Sequence, residues 1–367
     1  MKKAVLFLAA AVLLSTGAHA AADAPSESAA ACILVEADSG RTLYEKNADS
    51  PMLIASTTKI VTALTVLESC ALDEGVEIRP EWTGIEGSSM YLAAGERYTV
   101  RELLGGLMLA SGNDAAVALA CHAAGSIGAF AVKMNELAQS IGCENTHFTN
   151  PSGLDDEEHY SCARDLARIA RRAIENEELR AIASSRSMTI HGNTYYNHNK
   201  LLEMCEGAFG LKTGYTMAAG RTLVSCCERD GMTLICVTLC DRSDWDDHMA
   251  LYDWGFETWQ RRSVAPAERS VPLVGGTAET LPVRAAGSVT LPLCEADELR
   301  FSYELPRFVF AGVKAGETLG RAVLYVNGEY AAELPLRSAA DTAAAGAAEE
   351  SSLLRFLKTL GRNIYTF

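Results

Sequence analysis

The chain has 367 residues, and its 32 lysine and arginine residues against 47 aspartate and glutamate residues give a net charge of −15. This acidic balance argues against a general nucleic-acid-binding protein, which would carry a basic surface. Apolar residues make up 49% of the chain and charged residues 22%, which suffices for an ordinary core, and the length suggests two domains.

The first twenty residues have the pattern of a secretory signal peptide. Lys2 and Lys3 precede an apolar run, residues 4–14, that is too short to span a bilayer, and small residues follow at positions 18 and 20. We therefore predict a signal peptide over residues 1–20 and export of the mature chain. The alternative, a buried first helix, explains the charged start and the small residues less well.

Residues 21–262 are predicted to form one α+β domain. Predicted strands lie at both ends of this domain, and helices lie between them and after the last strand. The predicted strands are Ala31 to Glu36, Arg41 to Tyr44, Gly210 to Thr216, Thr222 to Glu228 and Met232 to Leu239. The predicted helices are Ser56 to Ala71, Val100 to Leu109, Asn113 to Ala123, Phe130 to Ile141, Ala163 to Ile174 and Trp245 to Gln260. This order indicates an antiparallel sheet with helices on both faces, in which the two ends of the domain meet.

The pattern changes after residue 262 to short β segments interrupted by proline and glycine. They predict a small all-β domain over residues 263–337, and an alanine-rich, acidic linker follows over residues 338–352. Residues 353–367 carry apolar side chains at helical spacing, with three basic residues between them and no acid. We expect an amphipathic C-terminal helix that binds the membrane surface; the alternative is a helix packed on the β domain.

The eleven cysteines follow the signal peptide and cannot all pair within one chain. They lack the regular spacing of a disulfide scaffold and form no C-x-x-C motif, so we expect mostly buried, reduced thiols. The seven histidines show no metal-ligand spacing. We interpret His147, His159, His191 and His198 as structural or surface groups, and we predict no metal and no other cofactor.

Three short motifs carry the candidate chemistry. They are Ser56-Thr57-Thr58-Lys59, Ser111-Gly112-Asn113 and Lys212-Thr213-Gly214. A serine hydroxyl is a poor nucleophile without a base in hydrogen-bond reach, and a spacing of three on a helix places Ser56 and Lys59 on one face. Lys59 can be this base only if its pKa falls. Burial and a second cation would both lower that pKa, and Lys212 is the candidate cation.

The remaining motif residues suit the other steps of an acyl transfer. The helix start at Ser56 would direct backbone N–H groups at an oxyanion, and the Tyr215 N–H would be a second donor. Ser111 could relay a proton to the leaving group, while the Asn113 amide would orient Lys59 and a substrate carbonyl.

The third motif suits a substrate with a free carboxylate. Lys212 and Thr213 on a strand would hold that carboxylate, and Gly214 would let the substrate backbone lie close to the strand. Taken singly, Ser56 could be a helix N-cap and Thr213-Gly214 a turn at a strand end. The three motifs in this order favour a serine acyl-transfer site.

These segments resemble low-molecular-mass penicillin-binding proteins of the D-alanyl-D-alanine carboxypeptidase family. The resemblance covers residues 31–260. Beyond the motifs it includes residues 109–116, 148–154, 159–166, 199–202 and 210–216. It implies a β-lactamase/transpeptidase-like fold in which Ser56 is acylated, Lys59 is its base, Ser111 and Asn113 form the second catalytic element and Lys212 binds the terminal carboxylate. Residues 150–154 and 199–202 would support the cleft.

The implied activity is removal of the terminal D-Ala from peptidoglycan stem peptides that end in D-Ala-D-Ala. β-Lactam antibiotics would acylate Ser56 as covalent inhibitors, and the enzyme would act at the outer face of the cytoplasmic membrane or in the cell wall. A serine β-lactamase uses the same motifs but needs a second base, commonly in a Glu-x-x-Leu-Asn setting, and residues 175–180 lack that Asn. A DD-endopeptidase would use the same residues, and a wall-binding protein without catalytic activity is the third competing interpretation.

Overall fold

The computed structural model describes residues 24–344. The predicted signal peptide, the predicted C-terminal helix and the second half of the predicted linker lie outside the described residues. Contacts between residues divide the chain into two compact units, with the division between Gln260 and Arg261. Across residues 24–344 no single helix is long and apolar enough for a membrane span, and one pair bent by 84°, Asn113–Ala124 with Ile127–Ile141, meets that test of length and composition together.

The described part of the first unit contains strands β1 to β9 and helices α1 to α8. The strands are Ala31–Glu36, Thr42–Lys46, Gly75–Glu77, Arg97–Thr99, Ser187–Ile190, Asn193–Tyr196, Ala208–Thr216, Gly220–Arg229 and Met232–Leu239. The helices are Lys59–Ser69, Val100–Leu109, Asn113–Ala124, Ile127–Ile141, Ala163–Ile174, Glu177–Ser184, Leu201–Met204 and Asp244–Thr258.

A five-stranded antiparallel sheet with strand order β2-β1-β9-β8-β7 organises this unit. Ile33 of β1 lies opposite Val237 of β9, so the two ends of the unit meet in the sheet as predicted. Successive side chains point to opposite faces of a strand. Ile33 and Val35 join the main helical core, whereas Leu34 approaches Gly255 of α8. The predicted α+β class, with helices on both faces of the sheet, is confirmed.

Helices α1 and α3 pack in the core of the unit and carry two of the three motifs at their N-terminal ends. Ile60, Ala63 and Leu64 on α1 are buried, and four of the buried residues of α3 are alanines. Because the distance between packed helices depends on the side chains at the contact, these alanines allow a close approach.

Some local elements differ from those predicted. Helix α1 begins at Lys59 and not at Ser56, because Ala55–Thr58 forms a separate 3-10 helix. The β5–β6 hairpin was not predicted, since its short strands are largely exposed and lack an apolar alternation. Its turn is made by His191 and Gly192, which both have positive φ values, as a tight hairpin turn requires.

The second unit is built from β strands alone within the described residues. These strands, β10 to β17, are Gln260–Val264, Arg269–Val274, Thr280–Ala285, Val289–Leu293, Leu299–Glu304, Val309–Phe310, Thr318–Val326 and Glu329–Ser338. They form a six-stranded sheet of order β14-β16-β17-β12-β11-β15 and a two-stranded sheet of β10 with β13. Prolines lie within several of these strands, including Pro282 in β12 and Pro335 in β17.

The start of the predicted linker is joined to this second unit. Ser338 is the last residue of β17, the Thr342 N–H donates to the Val313 carbonyl over 2.9 Å, and Ala344 forms a β-bridge with Gly276. Ordered backbone pairing therefore continues at least to Ala344.

All eleven cysteines lie within the described residues, and each is a free thiol. Six of them are buried: Cys32, Cys162, Cys205, Cys226, Cys227 and Cys236. Cys226 acts as a small apolar residue of the main core. The Cys162 sulfur instead accepts from the Asp165 N–H, and the Cys205 sulfur accepts from Arg229.

Candidate active site

The three motifs meet at one place in the first unit. Ser56 lies in the 3-10 helix directly before α1, Ser111 lies between α2 and α3, and Lys212 begins the third motif on β7, the edge strand of the large sheet. The N-cap positions of the 3-10 helix and of α1 are Ile54 and Thr58, so Ser56 is not an N-cap residue.

The ammonium group of Lys59 connects the first two motifs. Its Nζ donates to Ser56 Oγ over 2.9 Å, to Asn113 Oδ1 over 2.7 Å and to the Ser152 carbonyl oxygen over 2.6 Å. Asn113 is oriented in turn, because its Nδ2 donates to the Glu86 carbonyl over 2.6 Å. Lys59 is fully buried, whereas Ser56 is half-buried. A buried amine thus contacts an accessible hydroxyl.

Both lysines of the site have low pKa values for lysine. Burial first, and then the nearby charge of Lys212, lower the pKa of Lys59 well below its usual value, while the carboxylate of Asp114 acts in the opposite direction. Burial lowers the pKa of Lys212 to about 7. These are the two causes that the sequence indicated for a lowered pKa of Lys59.

Lys212 is almost fully buried, whereas a group that binds a substrate carboxylate must be accessible from the cleft. It is 2% exposed, and its Nζ donates to the carbonyl of the next residue, Thr213, over 2.9 Å. Its charge therefore acts on Lys59 and on His198, whose pKa is lowered by burial and by Lys212.

Gly214 brings β7 against the backbone of the nucleophile. A Cβ atom at this position would lie 2.9 Å from Ser56 N and would also overlap Thr222 Oγ1. The glycine thus permits contact between two protein segments, in addition to the approach of substrate that the sequence suggested. The close approach of β7 to the Ser56 backbone therefore depends on glycine at position 214.

Two further backbone features support the site. Ser111 has a left-handed φ of +58°, a strained conformation for a residue that is not glycine. Gly153 has a φ of +82° and packs against the Ala55 carbonyl so closely that no side chain would fit. The segment around Gly153 therefore supports the cleft and, through the Ser152 carbonyl, also contacts Lys59, a role that the sequence did not reveal.

A cleft of about 350 Å³ opens over Ser56. Its lining residues are Ser56, Ser88, Ser111, His198, Lys200, Thr213, Gly214, Tyr215, Arg221, Asp244 and Trp245. The sequence patterns did not identify Arg221, Asp244 or Trp245, and they indicated a structural or surface role for His198. These residues lie in β8, in α8 and in the segment before α7, and none of them belongs to one of the three motifs.

Arg221 supplies a cation that remains accessible from the cleft. Its side chain is 42% exposed, its Nη2 lies 2.8 Å from the buried Oδ2 of Asp244, and its guanidinium lies over the ring of Trp245. One ion pair leaves other N–H groups of a guanidinium free to bind an anion. The cleft thus combines a serine hydroxyl that contacts a buried lysine amine with a separate, accessible guanidinium group.

The sequence matches the profile of the D-alanyl-D-alanine carboxypeptidase family over residues 18–243. The chain is 30% identical over 339 residues to D-alanyl-D-alanine carboxypeptidase DacF of Bacillus subtilis, covering 87% of each protein. It is 34% identical to DacC of Escherichia coli, covering 86% of this chain and 84% of the relative. Penicillin binding protein 5 from Haemophilus influenzae has a similar structure, with a TM-score of 0.73 and 28% identity over 87% of this chain and 99% of that one.

The Lys212→Met substitution tests the electrostatic relation between the two lysines. Because the positive charge of Lys212 lowers the pKa of Lys59, removing it should raise that pKa, and Lys59 should become neutral only at higher pH. We expect the acid limb of the pH profile for acylation by a fluorescent penicillin to move upward by about one pH unit.

The matched control is Lys200→Met, which removes a cation from the cleft lining that does not act on Lys59. Its acid limb should coincide with that of the parent protein. An unshifted limb in Lys212→Met, or equal shifts in both variants, would contradict the assignment.

Proposed function

Because the chain belongs to the D-alanyl-D-alanine carboxypeptidase family, we propose that it removes the terminal D-Ala from peptidoglycan stem peptides through an acyl-enzyme on Ser56. The protein is thus a serine carboxypeptidase of cell-wall synthesis, and β-lactams would acylate the same serine. The observation that supports this assignment most directly is the hydrogen bond between buried Lys59 and accessible Ser56.

The first step follows from the contacts of Lys59. In its neutral form, two N–H groups donate to Asn113 Oδ1 and to the Ser152 carbonyl, which directs the nitrogen lone pair at the Ser56 hydroxyl. Ser56 Oγ attacks the carbonyl carbon of the penultimate D-Ala, and its proton passes to Lys59. The N–H groups of Ser56 and Tyr215 stabilise the oxyanion.

Collapse of the tetrahedral intermediate breaks the peptide bond to the terminal D-Ala. The leaving amine takes the proton from Lys59 through the hydroxyl of Ser111, which lines the same cleft. Water then attacks the acyl-enzyme, its proton passes to Lys59, and Ser56 is regenerated as the shortened peptide leaves.

The terminal carboxylate of the peptide is proposed to bind Arg221 and Thr213. Lys212 is enclosed and donates to a backbone carbonyl, so its main effect is to lower the pKa of Lys59. Arg221 has an accessible guanidinium in the cleft and suits an ionised carboxylate in both charge and geometry. The sequence motifs suggested two roles for Lys212. Lys212 keeps the first, lowering the pKa of Lys59, and Arg221 takes the second, binding the substrate carboxylate.

The acids of the cleft argue against a serine β-lactamase. Among the described residues that line the cleft, Asp244 is the single acid, and it pairs with Arg221. Residues 175–180, which were compared with the Glu-x-x-Leu-Asn motif, lie around the start of α6 and do not line the cleft. Glu178 of this segment pairs with Arg101. A second base suited to rapid deacylation is therefore not among the described lining residues.

The predicted export and the C-terminal helix give a proposed location at the outer face of the cytoplasmic membrane. Arg355, Lys358 and Arg362 lie between apolar residues at helical spacing in residues 353–367. A helix of this composition binds an anionic membrane through buried apolar side chains and the attraction of its basic groups.

The Ser56→Ala substitution should abolish both the covalent penicillin adduct and the release of D-Ala from a Lys-D-Ala-D-Ala peptide. The control is Ser88→Ala, which removes another hydroxyl from the cleft and should retain both reactions. Intact mass spectrometry and a D-Ala assay measure the outcomes. D-Ala release by Ser56→Ala would refute the mechanism, and rapid penicillin turnover without an adduct in the parent protein would favour a β-lactamase.

The Arg221→Met substitution should raise KM for a peptide ending in a free carboxylate by about tenfold to a hundredfold, since a charge-assisted hydrogen bond is lost. The matched comparison uses the same peptide with a C-terminal amide. The parent protein should discriminate strongly between the two peptides, and Arg221→Met should discriminate weakly. Equal discrimination by both proteins would show that another group binds the carboxylate.

Removal of residues 353–367 should move the mature protein from the membrane fraction to the soluble fraction without changing its rate of penicillin acylation. A full-length variant with Arg355, Lys358 and Arg362 changed to Glu separates the basic from the apolar contribution. It should bind anionic vesicles more weakly than the parent protein in a co-sedimentation assay. Unchanged partitioning of the truncated protein would contradict the proposed anchor.

A further inference from the structure

We propose that Cys70, Glu74 and His122 form a binding site for one zinc ion, outside the candidate active site. Cys70 directly follows α1, Glu74 lies in the turn after it, and His122 is in the last turn of α3. One thiol sulfur, one carboxylate oxygen and one imidazole nitrogen from these residues all lie within 4.8 Å of one another.

The position of the Glu74 carboxylate is set by the turn that contains it. Its Oε1 accepts a hydrogen bond from the Ala71 N–H over 2.6 Å, and its Oε2 lies 3.0 Å from His122 Nε2. The Glu74 carbonyl also accepts from the Val100 N–H over 3.0 Å, which fixes the turn against the start of α2. The carboxylate is therefore held beside the imidazole before any ion binds.

The set of donor atoms favours zinc. Zinc binds cysteine sulfur, histidine nitrogen and carboxylate oxygen, whereas calcium and magnesium prefer sites made of oxygen alone. Bond lengths of about 2.0 to 2.3 Å in a tetrahedral site place neighbouring ligand atoms about 3.3 to 3.8 Å apart. The three donor atoms already lie within 4.8 Å of one another, so binding would bring them closer together, and a water molecule would complete the tetrahedron.

The charges around the cluster also suit a divalent cation. A thiolate and a carboxylate together carry two negative charges, and zinc binding would release the thiol proton to solvent. The neighbouring cation, Lys133, donates to Ser69 Oγ over 3.3 Å, so its ammonium has a partner outside the three ligands.

The location of the cluster gives the ion a structural role. Helix α1 begins at Lys59 and α3 begins at Asn113, so both helices start in the active site and approach each other again at Cys70 and His122. At 1.5 Å per residue, helices of this length separate the two places by about 16 Å. Zinc would thus join the two catalytic helices, and the loop to α2, at their far ends without contacting the substrate.

A cobalt titration tests the site directly, because cobalt replaces zinc and reports a thiolate ligand through a sulfur-to-metal charge-transfer band. The full mature chain, reduced and freed of metal with a chelator, should bind one equivalent of cobalt with this band, and zinc should displace it. Cys70→Ser should lose the band, and His122→Gln should weaken zinc binding at least tenfold.

Cys294→Ser is the matched control, since it removes another half-buried thiol, from the second unit. It should bind cobalt and zinc as the parent protein does. Retention of the band and of zinc affinity in both Cys70→Ser and His122→Gln, or binding of less than one equivalent by the parent protein, would overturn the proposal.

Thermal unfolding provides a second measurement that does not depend on the folding of the cysteine variant. His122 is partly exposed, so His122→Gln should fold and react with penicillin normally. Zinc should raise the Tm of the parent protein and of Cys294→Ser more than that of His122→Gln, while the rate of penicillin acylation is the same with and without chelator. An equal rise of Tm in His122→Gln would place the stabilising ion elsewhere.

Discussion

The burial of two lysine side chains near each other is the constraint on which the rest of the site depends. For Lys212, a pKa lowered from 10.5 to about 7 corresponds to roughly 5 kcal/mol of lost unfolding free energy. Because the pKa in the folded state lies below that of the unfolded state, this loss is complete below about pH 7. It disappears as the pH rises toward the unfolded value of 10.5. The rest of the fold must offset this loss, and the charge of the buried Lys212 in turn lowers the pKa of Lys59 beside Ser56.

The contacts that keep Lys59 in place come from segments far apart in the chain. Its partners are the side chain of Asn113 at the start of α3 and the carbonyl of Ser152 in a loop between α4 and α5. Asp114, the next residue of α3, accepts hydrogen bonds from the N–H groups of Met90 and Leu92, which attaches a further loop to this helix. A displacement of α3 would therefore disturb Lys59, its amide partner Asn113 and the cleft wall together.

Much of the site could be predicted from the sequence because its main interactions are local or depend on distinctive motifs. Ser56 and Lys59 are one helical turn apart, and their contact follows from that spacing. Arg221 and Asp244 could not be recognised in this way, because they meet only when β8 and α8 pack beside β7. His198 and Ser152 reach the site from loops, where sequence patterns do not specify direction.

The fold, like the site, could be predicted where a local sequence pattern determines an element and could not where distant segments must meet. Strands β1 and β9 are continuous apolar runs buried on both faces, so their composition identified them. The β5–β6 hairpin is largely exposed, so no apolar periodicity could reveal its two strands. The proposed zinc ligands follow this rule too, because Glu74 and His122 are 48 residues apart and meet only through helix packing.

Helices α1 and α3 run in the same direction, so packing along their length positions the residues at both of their ends. Their N-terminal ends supply Lys59 and Asn113, whose separation must stay within a hydrogen bond of 2.7 Å. Buried alanines along α3, including Ala116 and Ala120, set the distance between the helices along their length. A packed core deforms little, so the contact along the two helices fixes the relative positions of Lys59 and Asn113. The position of the Lys59 amine therefore depends on the packing of α1 against α3 along their whole length.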